Sequence, residues 1–247
     1  MRILILLMAI CCSCNYLIKP KSKIVDNNFA AAIREQCPLC IDKDNYLTKN
    51  ADTLAILDAG SRNIATLEGF NFKGLVEFRC NDNQLTALPD NWSISLESLY
   101  CHNNLIIALP NNLPSNLEIL ICMTNKLTSL PDNLPTELKN LDCGLNQIKA
   151  LPNNLPINLE FLGCYNNQLT YLPDNLPPNL KGLFCGNNQI TALPKKLPAS
   201  LESLLFNNNK ITALPDTLPE GLSVINFRDN PIKNRPRNFP RHLEVKE

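Results

Sequence analysis

A phrase of 21 residues, L-x-x-L-x-C-x-x-N-x-L-x-x-L-P-x-x-L-P, recurs through most of this chain with no insertion between copies. Its first leucine stands at Leu75, Leu96, Leu117, Leu138, Leu159, Leu180, Leu201 and Leu222. Its asparagine stands at Asn83, Asn104, Asn125, Asn146, Asn167, Asn188, Asn209 and Asn230. One period earlier, Leu54, Leu57, Ile64 and Leu67 fill the expected places, with Arg62 where the asparagine belongs. One period later Leu243 opens a tenth copy. Repetition at a fixed short period specifies a solenoid, in which each unit buries its apolar face only against its neighbours. The functional question then becomes which side chains the stack leaves outside.

Within each unit the L-x-x-L-x-C segment predicts one short strand. Alternation sends its fourth and sixth residues inward and its third, fifth and seventh outward. Successive strands lie side by side as a parallel sheet about 4.8 Å apart, so nine units extend about 40 Å. The asparagine turns the chain off the strand, its amide serving backbone groups that a buried turn would leave unpaired. The return half carries prolines four residues apart, as in Pro110 and Pro114 or Pro131 and Pro135. Such spacing breaks a helix and suits extended polyproline-like chain. The expected fold is mainly β, with the sheet on a concave face, an extended convex side and a short helical cap at the N-terminus.

The repeat, as in Leu130-Pro131-Asp132-Asn133-Leu134-Pro135, resembles the short bacterial subclass of leucine-rich repeats over residues 54–243. That resemblance implies a fold seen in secreted effector and surface proteins. It implies no activity, because a fold carries none with it.

Six of the 11 cysteines form a ladder at the inward sixth position: Cys80, Cys101, Cys122, Cys143, Cys164 and Cys185. The column begins as Ala59 and continues as Phe206 and Phe227, which a site requiring sulfur would not accept. In-register neighbours also sit about 4.8 Å apart, beyond the ~3.8 Å Cβ separation of disulfides. Core packing is therefore expected, ahead of a metal or redox role. Cys37 and Cys40 form a separate C-P-L-C, readable as a redox pair, as half of a metal site that no second CxxC or nearby His completes, or as a cap disulfide in an exported protein.

Residues 1–14 place one arginine before an apolar run of about ten residues, too short to span a bilayer and suited to a signal-peptide core. The following cysteines resemble a bacterial lipoprotein signal, which implies lipidation at Cys14, with Cys11 and Cys12 as rivals. A plain secretory signal or an uncleaved apolar tail remain alternatives. Residues 15–25 read as a tether, 26–53 as an N-terminal cap, 54–242 as nine repeats and 243–247 as a truncated repeat. Asp26 before Asn27-Asn28-Phe29 reads as the N-cap of a short helix. The spacing of Phe29, Ile33, Leu47, Leu57, Ile64, Leu67 and Phe70 resembles the cap of internalin-like exported proteins, which implies export a second time.

The outward columns carry an apolar group in the middle copies: Tyr100, Ile119, Ile121, Met123, Phe161, Tyr165, Phe184 and Leu205. A solvent-facing sheet surface is ordinarily polar, and contiguous exposed apolar area marks binding sites. Strand propensity alone is the competing explanation. The formal charge is zero, with 23 basic and 23 acidic residues, so nothing argues for nucleic acid or an anionic surface. The C-terminal basic run from Arg228 to Lys246 reads as a solvated cap. His102 and His242 stand apart, and no nucleophile–base–acid set or phosphate loop is visible. The sequence reading is a monomeric, non-enzymatic module without cofactor, exported and membrane-anchored by lipid, that holds a protein or peptide on its concave sheet. An unanchored effector bound to a host protein is the alternative.

Overall fold

The computed structural model describes residues 22–233 and the backbone of 244–246. The signal and lipidation assignments (residues 1–14, Cys11, Cys12, Cys14), His242 and most of the C-terminal basic run lie outside these residues.

Ten strands form one parallel sheet in sequence order. They are β1 (Ile56–Asp58), β2 (Glu77–Arg79), β3 (Ser98–Tyr100), β4 (Ile119–Ile121), β5 (Asn140–Asp142), β6 (Phe161–Gly163), β7 (Gly182–Phe184), β8 (Ser203–Leu205), β9 (Val224–Asn226) and β10 (Glu244–Lys246). Each strand is shorter than the six-residue phrase that specifies it, covering only its third to fifth positions. From β1 to β9 every residue pairs with the one 21 further on, as Ile56 does with Glu77 and Ser203 with Val224. The last pair departs from this: Glu244 pairs with Val224, an offset of 20. The tenth strand thus stands one residue out of phase with a copy opening at Leu243.

The fourth-column leucines and the whole cysteine ladder are sealed from solvent, with Cys80, Cys101, Cys122, Cys143, Cys164 and Cys185 each at 0% exposure. All six are free thiols. Burial pushes every one of them above the ordinary thiol value, Cys101 and Cys185 to about 12. Phe206 and Phe227 continue the column with ring centroids 6.2 Å apart.

The asparagine column forms a second ladder. The Asn146 amide donates to the carbonyls of Cys143, Gly144 and, one turn earlier, Cys122, while its oxygen accepts from Leu127 N at 2.9 Å. The same four bonds recur at Asn104, Asn125 and Asn167. The residue before each asparagine takes a left-handed backbone, and the column includes Thr124 (φ 55°) and Leu145 (φ 54°) among its Asp and Asn members. Among the described residues the return half holds no helix; it closes on a tight turn in which the second proline's carbonyl accepts from the next unit's first leucine, as Pro135 O does from Leu138 N.

The cap is helix α1 (Asn27–Gln36), N-capped by Asp26 as its sequence position predicts. Phe29 from this helix, Phe70, Phe72, Phe78 and Trp92 interlock, with Phe70 at 5.1 Å from Phe72 and Phe78 and 5.5 Å from Trp92. This aromatic plug covers the apolar end that the first repeat would otherwise expose. Arg62, in the asparagine's place, pairs with Glu35 of α1 at 2.7 Å, so the degenerate copy is adapted to dock the cap. Residues 22–25, read from sequence as tether, belong to the cap: Ile24 is fully buried, its N–H reaches Asn45 O at 2.8 Å, and Val25 N bonds Glu68 O. Cys37 and Cys40 are disulfide-bonded.

Candidate functional site: the open face of the sheet

The sheet's outer columns place Tyr100, Ile119, Ile121, Met123, Tyr165, Phe184 and Leu205 partly exposed on one face, and Phe161 at 41% exposure. The third, fifth and seventh positions are held outward by the burial of the fourth and sixth, since a one-residue slip would reverse both faces. All eight candidates therefore share a surface.

How the aromatics lie depends on glycines that sequence reasoning passed over. A Cβ at Gly182 would fall 2.8 Å from Phe161 Cδ1 and 3.0 Å from Phe184 Cζ, so both rings lie against this glycine. A Cβ at Gly144 would meet Tyr165 Cζ at 2.5 Å; the phenol crosses the preceding strand flat upon it. Tyr165 Oη then lies 3.3 Å from Met123 Sδ and 3.4 Å from Asp142 Oδ2. Gly163 and Gly186 open equivalent space beneath Asp142 and Asn207. Only eight glycines occur in the chain, and four of them stand on this face in three consecutive copies. That concentration was the available clue.

Asp142 is the charged member of the patch. Gly144 N donates to its Oδ1 at 3.0 Å, and the Tyr165 hydroxyl approaches its other oxygen. Partial burial raises its pKa above the usual carboxylate range, against the lowering effect of those two bonds and of His102. The Tyr165 phenol is raised too, by burial first and then by the Asp142 charge. His102, on the same column as Met123, keeps a buried Nδ1 without a hydrogen-bond partner. At one end of the patch Arg79 stacks 5.4 Å from the Tyr100 ring and pairs with Glu77 at 2.5 Å. At the other, Tyr165, Phe184, Gly186, Asn187, Leu205 and Asn207 enclose a shallow hollow of about 280 Å³. A larger hollow of about 380 Å³ lies on the return side, between Asp174–Leu176 and Lys196–Ala199, away from these residues. Among the described residues no three His, Cys, Asp or Glu side chains converge as a metal site.

No protein-family model matches the chain, and no curated protein does. Solved structures do. YopM, a leucine-rich effector protein from Yersinia pestis, is 32% identical with a TM-score of 0.61 over 71% of this chain and 54% of its own. The leucine-rich repeat domain of a Shigella effector is 32% identical, with a TM-score of 0.55, over 64% of this chain and 70% of that one. The chain belongs to the bacterial leucine-rich repeat family. The functional domain of InlJ from Listeria monocytogenes, described as including a cysteine ladder, shares the fold at 20% identity and a TM-score of 0.52, over 90% of this chain and 60% of that one. This leucine-rich repeat protein spans about half the length of YopM, 54%. Its own cysteine ladder is an interior column, as the alternation of the strand requires.

Proposed function

We propose that this leucine-rich repeat protein is an exported, non-enzymatic module that holds a protein or peptide on the open face of its sheet. Phe161 carries the reading: a large ring 41% exposed at the centre of a patch in which Gly144 and Gly182 leave room for the rings that lie against them. Aromatic side chains on a rigid, flattened support are the anchors that dominate interface energetics. Export draws support from the Cys37–Cys40 disulfide, which belongs to oxidising compartments; residues 1–14 as signal and Cys14 as lipid acceptor rest on the resemblance of the N-terminus to a lipoprotein signal.

The double substitution Phe161→Asp and Phe184→Asp tests the binding face. It leaves the circular dichroism spectrum unchanged and abolishes crosslinked capture of the partner; unchanged capture would rule the face out. An unanchored effector acting in a reducing cytosol is the second reading, favoured by the two effectors of 32% identity. Incorporation of labelled fatty acid at Cys14 supports the anchored form, whereas an intact N-terminus in a soluble fraction supports the effector.

A further inference from the structure

The open face and its rim are acidic in a chain that is neutral as a whole. The column just before the strands runs Glu97, Glu118, Lys139, Glu160, Lys181, Glu202. With the outward positions of β2 to β8 it holds six carboxylates against three cations. Each cation is already committed: Arg79 to Glu77 at 2.5 Å, Lys139 to Glu118 at 2.8 Å and Lys181 to Glu160 at 2.6 Å. Glu97, Asp142 and Glu202 remain with no ion pair among the described residues.

Asp142 differs from the two rim glutamates. It sits within the apolar patch, partly buried between Met123 and Tyr165, held by one backbone N–H and one phenol. A carboxylate kept ionised there is a liability to the fold unless something positive covers it, since burial without a countercharge disfavours the ion. The rings beside it offer the faces on which a guanidinium or ammonium stem packs.

We infer that the partner is a basic polypeptide segment that sets an arginine or lysine against Asp142 and apolar side chains on Phe161 and Phe184. Glu97 and Glu202 lie five strands apart, about 24 Å, which an extended segment of about seven residues covers. This inference rests on the binding face proposed above and adds the chemistry of its occupant.

The test is selection of random peptides displayed on phage, with the full chain immobilised. The wild type is expected to enrich peptides in which lysine or arginine is flanked by apolar residues. The best of these, made synthetically, is expected to bind Asp142→Asn at least about tenfold more weakly, as loss of a charge-assisted bond requires. A version with glutamine at the basic position is expected to bind wild type and Asp142→Asn alike. Enrichment of acidic or uncharged peptides, or equal binding of the basic peptide to both proteins, would overturn the inference. If binding is lost in the Phe161→Asp, Phe184→Asp variant yet ignores Asp142, the face stands and the basic anchor falls. If neither change matters, both fall.

Discussion

Each asparagine of the repeat answers for four backbone groups at once, and only one residue type has the donors and acceptor to do so in that space. Asn146→Ala orphans one buried N–H and up to three carbonyls, and an orphaned group costs about 1–3 kcal/mol. A loss of about 2 kcal/mol or more in urea unfolding is expected, and Asn146→Asp is expected not to restore it, because a carboxylate cannot donate. The neighbouring column behaves in the opposite sense. Leu145 holds φ at 54° while 44% exposed, so it bears left-handed strain with little burial in return. Leu145→Asn is expected to stabilise by about 1 kcal/mol, measured as a higher urea midpoint. The asparagine role was legible from its period alone. The left-handed column was not, because Thr124 and Leu145 hide the Asn and Asp preference that would have exposed it.

At the scale of elements, the first strand raises the question that every open sheet must answer. The outward N–H and C=O of Asp58 in β1 face no further strand; instead the Gln36 side chain closes on both, at 2.8 and 2.5 Å. An amide side chain here stands in for a neighbouring backbone and blocks edge-to-edge pairing. Gln36→Leu is expected to cost about 1–3 kcal/mol in unfolding experiments and to promote self-association visible by sedimentation. Nothing local in the sequence distinguishes Gln36 from any polar residue at a helix end, so this clamp could be found only from the folded chain. The same holds for residues 22–25: Ile24 reads as one apolar residue in a polar stretch until its backbone is seen bonded to Asn45. Strand positions, by contrast, followed directly from alternation, and with them the sidedness of every candidate from Tyr100 to Leu205.

Across the whole molecule, the thiol ladder ties stability to alkaline pH. The folded values lie above the ordinary 9.0, with Cys101 and Cys185 at about 12, so the unfolded chain ionises first. Thiol stabilisation is complete below pH 9 and declines as pH rises toward about 12, by up to about 1.4 kcal/mol per unit for each thiol. Chemical denaturation across that range is expected to show a steep fall that a six-fold Cys→Ala variant, though less stable at pH 7, no longer shows. Asp142 follows the same sign at lower pH: its raised value makes the folded state hold the proton more tightly, so stability falls as pH rises through the carboxylate range. Asp142→Asn is expected to melt higher than wild type at pH 7 and to lose that advantage in acid. The glycine floor beneath the rings explains why the patch itself was only half legible; side-chain columns name what is present, whereas the shape here is made by what is missing. Two of the four bonds at each asparagine, finally, reach backward from its unit to the one before, as Asn146 does to Cys122 and Leu127. The array is therefore laid like roof tiles. During synthesis no turn is finished until its successor has emerged, and between β1 and β9 a tile can be added or removed only as a complete course of 21 residues.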